Sequence, residues 1–221
     1  GVFFAPAKYA DSYATNGQVV VKEGAKYLGA APVLSLKDSL GRDVNYFEVP
    51  LFVDSLYADG MRAIDKAVSL RPGELRYRFY KITGLIEYEG ESPDMAFQEL
   101  ISLIDGYSSS KGKGWTLDGS PADDEVFCQA MGEYCYSFFY IGTPQGYEFF
   151  LKVSQRMNKL YPRNTVFIDN IGSYWQVARG NDKKAMKFYK KALKIDPDDY
   201  VAKKNISIIQ LSQSKKGRSS K

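Results

Sequence analysis

The chain has 221 residues, 44% of them apolar and 25% charged, a composition that supports one large or two small folded domains rather than a disordered segment. It contains no histidine, which excludes Ser–His and Cys–His nucleophile pairs, His-ligated zinc and imidazole acid–base chemistry. Its net charge of +4 is small for a nucleic-acid binder, and no apolar run approaches the roughly 20 residues that cross a bilayer, so neither nucleic acid nor a membrane span is expected.

Taken from the start, the chain opens on Gly1 rather than Met, which points to a trimmed N-terminus. Val2, Phe3, Phe4, Ala5, Pro6 and Ala7 are apolar and end in small residues at A-x-A spacing, like the stump of a signal peptide, which favours an exported over a cytoplasmic location. Residues 1–50 read as an N-terminal extension, irregular or with short strands at 18–21 and 33–36 and a turn over 38–43. Residues 51–106 read as degenerate helical hairpins. A helix over 54–70 carries Ile64, Ala67, Val68 and Leu70 in register before Pro72, and a pair over 75–89 and 93–104 is broken at Gly90. Asp105-Gly106 ends that pair, and 107–122, with a run of three serines, several glycines and Trp115, reads as a loop.

Residues 123–214 carry the stronger helical signals. One hairpin runs over 123–140 and 142–162, with Met131-Gly132 in its first helix and Pro162 closing its second. Cys128 and Cys135 then lie two turns apart, on the order of 10 Å along the axis, too far for a disulfide, and read as small buried hydrophobes. The next hairpin has Asn170-Ile171-Gly172 and Tyr174-Trp175 before a Gly180-Asn181 break, then Ala185, Tyr189, Ala192 and Pro197. A lone helix from Tyr200 to Gln213 follows. Residues 181–221 hold 12 Lys and Arg against 4 acids, leaving 18 against 22 for residues 1–180. This reads as a solvated helix face and a basic disordered tail over 215–221.

The stretch from about 164 to 199 resembles a tetratricopeptide repeat, a pattern of roughly W-x2-L-G-x2-Y…A-x3-F…P. Ile171-Gly172 match Leu-Gly, Trp175 stands at the Tyr position, Ala185 and Tyr189 at Ala and Phe, and Pro197 closes the unit. One extra residue lies between Trp175 and Gly180. The whole arrangement resembles bacterial tetratricopeptide proteins of no defined activity. The resemblance implies an all-α fold of antiparallel hairpins stacked as a superhelix and closed by a C-terminal capping helix. It also implies no catalysis and no cofactor or metal, but a protein or peptide partner in a concave groove lined by the first helix of each repeat. By alignment the groove residues are Val166, Asp169, Asn170, Ser173 and Gln176, with Val201, Lys204, Asn205 and Ile208 on the closing helix. Val201 and Asn205 stand where relatives that clamp a terminal carboxylate carry basic residues, so such a clamp is not expected.

Other chemistry reads poorly. The glycine-rich stretch from Gly106 to Gly114 has the wrong spacing for a phosphate loop and follows a helix. Asp123, Asp124 and Glu125 sit where a helix begins, and Asp196, Asp198 and Asp199 surround Pro197 at a corner, so both groups read as caps. Aromatic residues make up 14% of the chain. They leave one alternative, a small-molecule or glycan site stacking on Trp115, Tyr134 and Tyr136.

Overall fold

The computed structural model describes residues 34–37, 39–41, 43–46 and 53–219. The chain divides into two compact units, Gly1–Pro72 and Gly73–Lys221. It is all-α and repeat-like, with eight α-helices among the described residues.

In the first unit, β1 (Leu34–Lys37) and β2 (Asp43–Tyr46) form an antiparallel pair with Leu34 opposite Tyr46 and Lys37 opposite Asp43. Of the two strands expected here, the one over 33–36 corresponds to β1; the other, over 18–21, lies outside the described residues. Helix α1 (Asp54–Leu70) occupies the span its apolar spacing predicts. Pro72 sets its end. Arg71 leaves the helical region at φ −138°, ψ 75°, while its N–H still bonds the Ala67 carbonyl at 3.0 Å.

The second unit holds three hairpins and a final helix. These are α2 (Leu75–Glu89) with α3 (Asp94–Ser110), α4 (Asp124–Ile141) with α5 (Pro144–Leu160), α6 (Thr165–Ser173) with α7 (Asp182–Ile195), and α8 (Tyr200–Ser219). Between hairpins, the second helix packs on the next first helix, α5 on α6 and α7 on α8, while first helices also touch one another, α4 on α6 and α6 on α8, and α3 touches α5. This is the logic of a helical repeat, in which no hairpin hides its apolar side alone.

Side-chain caps fix where most of the second unit's helices start. Asp123 accepts from the Val126 N–H at 2.9 Å, Asn164 from Val166 at 3.1 Å, Asn181 from Lys184 at 2.9 Å, and Asp199 from Ala202 at 2.9 Å. Thr143 accepts from Gly146 at 3.1 Å, with Pro144 in the first turn of α5. The acids at 123 and 199 therefore do the capping their positions imply. Asp196 accepts from the Asp198 N–H at 2.9 Å, turning the corner around Pro197.

Within the second and third hairpins the two helices approach closely at a glycine. A Cβ on Gly172 would lie 2.6 Å from the Tyr189 ring, and one on Gly146 would lie 2.6 Å from the Phe138 carbonyl oxygen. Aromatic rings fill the remaining space. Phe97 of α3 stacks on Phe149 of α5 with centroids 4.2 Å apart, Phe138 meets Phe149 edge-on at 5.7 Å, and Tyr107 stacks on Phe127 at 3.8 Å. These rings thus belong to seams between helices. Cys128 and Cys135 are free and buried, as the spacing argument expects.

The extra residue after Trp175 has a physical home. Tyr174–Ala178 is a π-helical segment continuing α6, and the Asn181 N–H bonds back to the Trp175 carbonyl at 2.7 Å. A π turn takes up one residue more than an α turn, so the hairpin keeps its packing despite the insertion.

The loop expected over 107–122 is corrected. Helix α3 does not end near Ile104 but runs to Ser110. The hydroxyls of Ser108, Ser109 and Ser110 bond back to carbonyls at Asp105 (3.2 Å), Gly106 (2.9 Å) and Tyr107 (3.0 Å), which keeps this serine run helical. After a turn through Lys111–Gly114 comes a short hairpin, β3 (Thr116–Leu117) and β4 (Ser120–Pro121). Asp118 (φ 52°) and Gly119 (φ 79°) are its two left-handed turn residues. Glu74, only 5% exposed, organises it by accepting from Thr116 Oγ1 at 2.8 Å, Asp118 N at 2.9 Å and Gly119 N at 3.1 Å. Those donors outweigh its burial and hold the carboxyl below the ordinary glutamate range. At the other end, α8 continues as helix to Ser219, past the boundary at 214 where the basic tail was expected to begin.

Gly172→Ala is expected to drive a methyl into the Tyr189 ring and destabilise the second unit by about 1–3 kcal/mol. Urea unfolding of the full chain measures this; an unchanged midpoint would show that the hairpin does not depend on the close approach.

Candidate functional site

Three neighbouring cavities lie along the first helices of the hairpins. One of about 520 Å³ sits between α2 and α4, lined by Arg76, Phe79, Tyr80, Thr83, Val126 and Tyr134 among others. The second, about 610 Å³, lies between α4 and α6 and is walled by Asp124, Glu125, Cys128, Gly132, Tyr136, Tyr161 and Val166. The third, about 470 Å³, lies between α4, the α6 π segment and α8. The first two share Gln129 and Glu133, and the last two share Tyr136, so together they form one groove.

The groove is where this unit keeps its exposed apolar side chains. From Gly73 onward, every large hydrophobic residue that is well exposed lines one of these cavities, except Tyr88, Met95 and Leu211. Tyr200 is 72% exposed, Tyr140 62%, and Ile208 45%. Scattered exposed hydrophobics are ordinary on a folded surface; their concentration in one concave strip is not.

Of the residues singled out by alignment, Ser173, Gln176, Val201, Lys204, Asn205 and Ile208 come together in the third cavity, and Val166 lines the second. The polar ones are tethered from below. Tyr189, wholly buried, donates its hydroxyl to Gln176 Oε1 at 2.7 Å and lies 3.3 Å from Ser173 Oγ, with Asn205 also bonded to it. Among the described residues Lys204 has no ion-pair partner, and its ammonium lies 5.8 Å from the Tyr200 ring centroid. Tyr140, Val177 and Tyr200 complete the walls; their signal in the sequence is an apolar residue on the side of a helix that its own core does not use.

Asp169 and Asn170 are corrections: each is only 2% exposed and neither lines the groove. Helix α6 is short and hemmed in by α4, α5, α7 and α8, so Phe167 through Gly172 are all buried. Asp169 therefore meets Asp199 instead of a ligand. Burial and the neighbouring Asp199 charge push its carboxyl up to about 8. Asp199 is itself opposed by burial, yet the Ala202 N–H, the Thr165 hydroxyl and the proton Asp169 retains hold it low.

The rings of the stacking alternative do not converge. Trp115 lies against α3, its Nε1 donating to Ser110 Oγ at 2.9 Å and its ring tilted on Tyr107 at 5.8 Å, and it anchors the 111–122 segment. Tyr134 is 9% exposed and donates to the Phe79 carbonyl at 3.0 Å, while Tyr136 stands 39% exposed in the groove. Burial pushes the Cys128 thiol up to about 11 and the Cys135 thiol to about 12, which leaves both poor nucleophiles. Among the described residues, no cluster of His, Cys, Asp and Glu is arranged to hold a metal ion.

The Asp169 proton makes stability depend on pH with a definite sign. Between about pH 4 and pH 8 the native state keeps a proton that the unfolded chain has released, so this group's contribution falls as pH rises through that window. Asp169→Asn, which keeps a donor toward Asp199, is expected to gain stability over the wild type progressively from pH 5 to pH 8 and then level off. Denaturation at stepped pH reads this; a pH-independent difference would contradict it.

No family model matches the chain, and no curated protein matches it.

Proposed function

We propose that the protein is a non-catalytic scaffold of the tetratricopeptide type, which binds an extended segment of another protein along the groove formed by α2, α4, α6 and α8. The observation that carries this reading is the gathering of exposed apolar side chains, Tyr136, Tyr140, Val166, Val177, Tyr200, Val201 and Ile208, along the second and third cavities of that groove. The hairpin order and the Gly172–Tyr189 contact support the repeat assignment, because Gly and a ring at those two positions are what its sequence pattern requires.

Binding then works by shape. The helices beneath the groove are locked by capped starts and ring stacks, so the receptor loses little freedom on association and the bound segment supplies most of the ordering cost. Apolar side chains of the segment fill the cavities, and groups such as Ser173, Gln176 and Asn205, already oriented by Tyr189, meet its backbone.

The test is selection of random twelve-residue peptides on the full chain, followed by anisotropy titration of those recovered. Ile208→Glu places a charge in the third cavity and is expected to weaken binding at least tenfold, the order of one desolvated apolar contact, with helical circular dichroism unchanged. Lys191→Glu, on the exposed side of α7, is expected to leave affinity intact. Equal binding by wild type and Ile208→Glu, or no peptide recovered, would overturn the proposal.

A further inference from the structure

The groove is not electrically uniform. Its middle cavity, between α4 and α6, is lined by the carboxyl-bearing Asp124, Glu125 and Glu133, and among the described residues no Lys or Arg lines it. Several acids elsewhere in this unit are answered by bases: Asp118 pairs with Arg76, Glu99 with Arg78 and Lys81, and Asp105 with Arg156. Here, among the described residues, the Asp124 carboxylate accepts from tyrosine hydroxyls, Tyr161 at 3.0 Å and Tyr107, and the Glu133 carboxylate from Gln129 at 3.3 Å. The floor beneath them is apolar, made by Cys128, Gly132 and Val166. At the α8 end the sign reverses, since Lys204 lines the cavity beside Tyr200 with no ion-pair partner among the described residues.

We infer that the segment accepted by this groove carries a lysine or arginine side chain that seats in the α4–α6 cavity, with an acidic residue toward Lys204. The inference rests on the peptide-binding reading above and names the chemistry of the partner. A basic side chain suits such a cavity twice over: its methylene stem covers the apolar floor while its cation stays at the carboxylate rim. The three carboxylates are not gathered as a metal site. Their combined field therefore acts on an extended organic cation, which needs only to approach the rim. Opposite charges at the two ends also fix the direction in which the segment lies, because the reversed orientation puts like charges together.

The experiment uses the full chain and the selected peptides. Recovered sequences are expected to be enriched in Lys or Arg next to apolar residues. The isosteric double variant Glu125→Gln, Glu133→Gln is expected to weaken their binding about three- to tenfold and to flatten its salt dependence. Replacing the peptide's basic residue with Gln is expected to abolish the difference between wild type and double variant, which a merely structural role for the carboxylates would not do. Peptides that lose affinity on Ile208→Glu yet show no basic enrichment and no response to the double variant would overturn this inference and leave the peptide-binding reading in place. Failure to recover any peptide would remove both.

Discussion

A helical hairpin in water has more apolar surface than its own two helices conceal, and everything in the second unit follows from how that excess is hidden. A hairpin can close at a glycine so that two helices touch nearly backbone to ring, as the third does at Gly172 against Tyr189. It then covers its remaining side with the next hairpin, through stacked pairs such as Phe97 and Phe149. Helix α8 ends the series by laying Ala202 and Ile209 over the core shared with α6 and α7. Because first helices meet first helices at a shallow seam, the same stacking that buries one side leaves a concave strip on the other.

That strip inherits its character from the seams beneath it. Tyr189 fills the space that Gly172 vacates, and its hydroxyl then orients Gln176, Ser173 and Asn205 at the surface, so one buried ring serves both core and groove. The buried Asp169–Asp199 contact has the same double position. It joins α6 to the start of α8, and its charge adds to the burial that raises the Tyr136 phenol. The groove is therefore only as firm as the packing under it.

The helices of the second unit were legible in the sequence because their ends carry local chemistry. Asp123, Thr143, Asn164, Asn181 and Asp199 each announce a start, and the apolar period sets the rest. The 107–122 segment was harder. Serines satisfied by their own helix look like loop residues, and Asp118-Gly119, a strong turn signal, was hidden within a run too short to read as strands. Its organiser, Glu74, lies more than forty residues upstream, and no local pattern reveals such a partner. In the groove, alignment found the α8 and π-segment residues but misplaced Asp169 and Asn170. The repeat pattern assumes a first helix with one open side, whereas α6 is enclosed on all of them over Phe167–Gly172.

The central claim is that the first-helix strip is the binding face, and hydroxyl-radical footprinting reads it directly. The full chain is oxidised with and without a saturating selected peptide, and modification is quantified at exposed tyrosines inside and outside the groove. We expect Tyr136, Tyr140 and Tyr200 to be protected together while Tyr88, exposed but away from the cavities, reacts as before. Protection at Tyr88 with none at the three groove tyrosines would contradict the account.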